Sequence, residues 1–97
     1  MNKRLLSMLG ETVEAAAISK AYFERTGSEL GRLQYRRGES RFFGMLMAAE
    51  IYEPELAIYC DVDFWDEALR HCAGLAVDDK RRGIKAVEMA LNTWEAV

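Results

Sequence analysis

His71 is the only histidine of the chain, and it falls with Asp63 and Glu67 at i, i+4 and i+8 on one helical stripe. A carboxylate that orients an imidazole is the working half of many general bases. Catalysis would also need a nucleophile and oxyanion donors within reach, and the neighbouring sequence supplies neither. The stripe therefore reads as a solvated helix face carrying an ordinary Glu–His pair. Cys60 and Cys72 are the only cysteines. They could form one bridge at most, and two thiols kept reduced in the cytoplasm is the expected state. Zinc would need Cys60, carboxylates and one of His71 or Cys72. No CxxC or HxxxH spacing supports that set, and on a helix His71 and Cys72 diverge by about 100°. Gly27, Gly31, Gly38 and Gly44 make no GxxxxGK[ST] loop and follow no strand, so a phosphate cradle is not expected. The chain is read as a non-enzyme with no metal and no cofactor.

Charge is laid out more tellingly than chemistry. Arg25, Arg32, Arg36, Arg37 and Arg41 stand against only Glu29 and Glu39, a local charge of +3. All five are arginine, and Tyr35, Phe42 and Phe43 lie among them. Guanidinium forks bind phosphates and carboxylates in pairs and stack on aromatic rings. An anion-binding site at a turn around Gly38, built from Arg32, Tyr35, Arg36, Arg37 and Arg41, is one reading, with a nucleotide as the type of ligand. The other is a solvated arginine face. Immediately downstream, Glu50 to Glu67 holds seven acids and no base, with Tyr52, Tyr59, Phe64 and Trp65 interspersed. Acids studded with aromatics suit a basic protein surface, because complementary potential speeds encounter and aromatics anchor contacts. Tyr52, Tyr59, Asp61, Asp63, Trp65, Asp66 and Glu67 are the candidate partner-binding residues.

These residues must be positioned by helices. A single proline, Pro54, interrupts 97 residues rich in Ala, Leu, Met, Glu and Arg, and no alternating β-branched run is long enough for a strand. Leu6, Leu9, Val13, Ala16 and Phe23 set a 3-4-3 seam in a first helix that Thr26-Gly27 stops. Ser28 is expected to cap a second helix to about Arg37, with Leu30 and Leu33 inward and Gly38 as its end. Ser40 would cap a third, Arg41 to Tyr52, apolar nearly all round and hence central and buried. Pro54 opens a short helix. Asp63 caps Phe64 to about Ala73, where Trp65, Ala68, Leu69 and Cys72 share helical spacing. Ile84, Val87, Leu91 and Trp94 repeat the 3-4-3 seam in a last helix from Lys80 to the end.

The fold expected is all-α: one domain over residues 1–97, a compact bundle of four to six helices with long terminal helices and a buried central one. The matching terminal seams would lie against each other or against a second copy. A chain this short buries only about two-thirds of its unfolded surface, so a homo-oligomer, with a dimer favoured, is expected. The longest uncharged stretch, Phe42 to Ala49, is far too short to span a bilayer, and Gly10 and Glu11 interrupt any leader-like start. The net charge of −3 argues against general polyanion binding. A helix-turn-helix around Gly38 would put Phe42 to Ala49 in the recognition position, with no polar side chain to read bases. The function expected is a non-catalytic protein-binding module, an inhibitor, adaptor or regulator of the kind found on mobile elements. Its contacts would be the acidic-aromatic segment and the arginine turn. An anionic-ligand protein with its site at that turn or between subunits is the alternative. Nucleic-acid binding by the arginine stripe is a further one, and it is not favoured.

Overall fold

In a computed structural model that describes residues 1–95, the chain folds as α1 (Lys3–Thr26), α2 (Glu29–Glu50), a 3₁₀ helix η1 (Pro54–Tyr59), α3 (Val62–Gly74) and α4 (Arg82–Glu95). There is no strand among the described residues. None of these helices is long and apolar enough to cross a membrane.

Local signals fix most of the helix ends. The Asn2 side chain accepts a hydrogen bond from the Leu5 N–H at 2.8 Å and starts α1. Gly27 ends it at φ 72°, the one left-handed residue among those described, where a side chain would be strained. Ser28 accepts from the Gly31 N–H at 3.2 Å and starts α2 at once, so the two longest helices fold back on each other. Asp79 accepts from the Arg81 N–H at 2.9 Å and from Lys85 Nζ at 2.7 Å, fixing the entry to α4.

One face of every element then converges. Leu5, Leu9, Val13 and Ala16 of α1, Phe42 and Leu46 of α2, Leu56 and Tyr59 of η1, Phe64, Trp65, Ala68, Leu69 and Cys72 of α3, and Ala86, Val87 and Ala90 of α4 contribute to one buried cluster. Trp65 lies at its centre, 4.8 Å from the Phe42 ring and 6.2 Å from Tyr35. The terminal seams meet inside the same chain, because α4 packs on α1. That contact is a backbone-to-backbone one: a Cβ on Gly83 would stand 1.9 Å from the Gly10 carbonyl oxygen.

The structure corrects several expectations. Gly38 does not end a helix, and α2 runs through it without a turn. A glycine stops a helix by adopting positive φ, which Gly38 does not do. It serves close packing instead, since a Cβ there would lie 3.0 Å from that of Ala16. The helix-turn-helix outline disappears with the turn. Leu30 and Leu33 point outward, 63% and 46% exposed. They lie near the tip of the α1–α2 hairpin, which outreaches the shorter α3 and α4. The Arg41–Tyr52 stretch is buried on one side only, through Phe42 and Leu46, while Met47 and Ile51 face out. Asp61, not Asp63, caps α3, accepting from the Asp63 N–H at 2.8 Å. The last helix begins at Arg82 rather than Lys80, and residues 96 and 97 of the expected span lie outside the described ones. The N-terminal helix α1 is long as expected, at 24 residues, whereas the second long helix is α2, at 22, and the C-terminal α4 has 14.

Candidate functional site

The acidic segment forms an edge where α2 ends and α3 begins. Pro54 supplies the first turn of η1, and Cys60 folds back until its Sγ is 3.8 Å from a Glu50 carboxylate oxygen. Two hydrogen bonds tie η1 to the end of α4. The Trp94 Nε1–H donates to the Ile58 carbonyl at 3.1 Å, and the Tyr59 hydroxyl donates to Glu95 at 2.7 Å. A short loop is thereby held on a rigid base, which limits the ordering a binding partner would have to impose.

Two of the expected anchors are not on this edge. Trp65 is fully buried and Tyr59 nearly so. Their positions explain why: Trp65 shares a stripe with Ala68, Leu69 and Cys72, and Tyr59 packs against Phe64 with ring centroids 5.0 Å apart. Neither ring can reach a partner. Tyr52 does remain outside, and it is joined by Ile58 and Val62, at 87%, 58% and 54% exposure. Ile58 and Val62 are aliphatic, so a pattern of aromatics among acids does not single them out. Glu55, Asp61, Asp63 and Asp66 are exposed in the same segment.

Glu67 is already engaged by other side chains of the same helix. It accepts from His71 Nε2 at 3.0 Å and pairs with Arg70. With Asp63, Asp66, Lys20, Glu24 and Trp94 it lines a cleft of about 740 Å3 between α1 and α3. The cleft mixes both signs of charge, so it presents no concentrated field to a charged ligand. Of the Asp63–Glu67–His71 stripe, only the Glu–His pair makes contact.

Neither thiol is activated. Burial pushes Cys72 up, and the opposing influences of nearby Arg82 and Glu14 leave it raised. Burial, reinforced by Glu50, raises Cys60. Both cysteines are free, and among the described residues no three metal-ligating side chains converge.

The five anion-site residues are dispersed around α2. Arg32 is held by Glu29 at 2.8 Å. Arg37 lies roughly 140° around the helix from Arg32, while Tyr35 turns inward to Trp65. Arg37 and Arg41 line a groove of about 580 Å3 between α1 and α2, where Glu11 supplies the opposite charge. Arg36 is exposed on another side of the helix, away from that groove. Without a turn at Gly38, nothing gathers these guanidinium groups into one site.

No protein-family model matches the chain, and it matches neither a curated protein nor a solved structure.

Proposed function

We propose that this chain is a non-catalytic helical module of the cytoplasm that binds the basic surface of another protein through the edge around η1. The observation that carries the reading is the exposure of Tyr52, Ile58 and Val62 in a stretch with seven acids and no base. Apolar groups in an acidic field give a partner both an attraction and something to bury. The rigid seating of η1 on Trp94 and Glu95 supports the same reading.

The test is affinity capture from the native host with the wild-type chain and with Tyr52→Ser combined with Ile58→Ser. A wild-type partner that elutes with moderate salt and binds the double variant at least about tenfold more weakly is the expected result. Equal capture by both chains would remove the edge from consideration.

A further inference from the structure

The outward face of α2 has the pattern of a helix seam with nothing packed on it. Leu30 and Leu33 stand at one end, Ser40 and Gly44 in the middle, and Met47 and Ile51 at the other. With Arg37 between them, they follow a 3-4-3-4-3-4 spacing, the repeat by which one helix receives another. Every one of these residues is exposed, Met47 and Ile51 at 60% and 77%. The inward face, through Phe42 and Leu46, already belongs to the core.

Gly44 is the second and independent observation. Within a helix, glycine is less favourable than any residue but proline, so its presence asks for a close neighbour. Gly31 and Gly38 have theirs on α1, at Tyr22, Phe23, Ser19 and Ala16. A Cβ on Gly44 would meet nothing within 4 Å. Nothing described in this chain accounts for the glycine, whereas a second helix lying across Ser40 and Gly44 does.

We infer that this face receives the same face of a second copy, with the two α2 helices antiparallel about a two-fold axis beside residue 42. That arrangement sets Leu33 against Ile51 of the second copy, Ser40 against Gly44, and the stem of Arg37 over Met47. The ends are apolar and the centre is small, so the surface is self-complementary, as a two-fold interface requires. The flanking row supplies the register. Arg36 comes opposite Glu50 of the second copy, twice per dimer, and Phe43 opposes its own copy near the axis. Sliding by one heptad step would set Glu29 against Glu50 and uncover Ile51. A parallel pair would place Arg37 on Arg37. On the remaining flank Arg41 meets its own copy, and there Glu11 of the adjoining groove provides a counter-charge.

One helix pair is small for a stable interface, which ordinarily covers roughly 800 Å2 per partner. Ile18 of α1 borders the same groove as Arg37, and Met8 and Tyr22 are also exposed on α1. The face therefore continues across the hairpin, and two hairpins together make a four-helix layer. This surface shares Glu50 with the acidic stretch but uses none of Tyr52, Ile58 and Val62, so it stands or falls without the η1 edge.

Sedimentation equilibrium or light scattering across a dilution series tests the assignment. The wild-type chain is expected to dimerise. Arg36→Glu alone and Glu50→Arg alone should each weaken the dimer by about tenfold or more, and an equimolar mixture of the two should recover it as a heterodimer. Gly44→Leu should dissociate the dimer while far-UV circular dichroism shows the helices intact. A wild-type monomer at every concentration overturns the inference. A dimer indifferent to Gly44→Leu, or a mixture that fails to recover association, overturns it equally. Tyr52→Ser with Ile58→Ser, placed on the edge, should leave the dimer unchanged.

Discussion

Trp65 sits between acids in the sequence and inside the core in the fold. The nearby acids Asp63, Asp66 and Glu67 say little about it, because on a helix residues one or two apart face different ways. The stripe it shares with Ala68, Leu69 and Cys72 says more, and the structure follows the stripe. Its removal should be severe. Trp65→Ala empties a site walled by Phe42, Phe43 and Tyr35 and should cost about 3–5 kcal/mol in urea unfolding. Trp65→Phe should cost much less. It keeps most of the ring contact and removes an indole N–H that finds no acceptor among the described residues. Equal losses in the two variants would mean that the indole makes a bond absent from this structure. Tyr59 allows a second prediction at the same scale. Burial first, and then its hydrogen bond to Glu95, push its pKa from 10.0 up to about 12. Between those values the unfolded chain has lost a proton that the fold still holds. The contribution is therefore complete below pH 10.0 and falls as pH rises through about 12. Denaturation midpoints taken through that window should decline more steeply for wild type than for Tyr59→Phe, and parallel declines would refute the linkage.

At the scale of elements, what could be read in the chain depended on whether a signal is local. The stop at Gly27 needs only one residue's φ, and the cap at Ser28 needs only a side chain and an N–H three residues on. Such signals are complete in the sequence. Gly38 and Gly27 are the same residue type with opposite uses, and the difference lies in what stands across from them. Gly38 faces Ala16 on another helix, a fact that belongs to packing and is absent from the local sequence. The arginines obey the same rule: Arg32, Arg36, Arg37 and Arg41 are close in sequence but are spread around α2, which has no turn at Gly38 to gather them. Gly83 extends the point to α4. A methyl placed there would lie 1.9 Å from the Gly10 carbonyl and 3.0 Å from Glu14 Cβ, and backbone does not yield as a flexible side chain does. Gly83→Ala should therefore force α4 away from α1 and cost about 3 kcal/mol, measured by thermal or urea unfolding. A change within about 0.5 kcal/mol would show that the two helices lie further apart than described.

The whole molecule measures 39 × 24 × 24 Å, with a radius of gyration of 13.0 Å. Its long axis is close to the length of α1, about 36 Å for a 24-residue helix. The hairpin is therefore longer than the helices that cover it, since α3 and α4 have 13 and 14 residues. Uncovered length explains why Tyr22, Leu30 and Leu33 are exposed at one end while Leu9, Val13 and Phe42 are fully buried further along. It also sets a gradient of stability. Near Gly27 the helices hold each other chiefly by their own contacts, whereas the stretch around Phe42 is packed on Phe64 and Trp65 as well. Amide hydrogen exchange should read this directly. Amides of residues 22–33 should exchange by local opening at free energies well below the global value, while those of residues 9–16 and 64–72 should approach it. The seam on α2 adds a concentration dependence. If the second copy covers the hairpin, raising the protein concentration should slow exchange in α2, including its exposed tip, and leave α3 nearly unchanged. Uniform protection along α2 in a chain held monomeric by Gly44→Leu would contradict the gradient, because it would require contacts at the tip that α3 and α4 are too short to make.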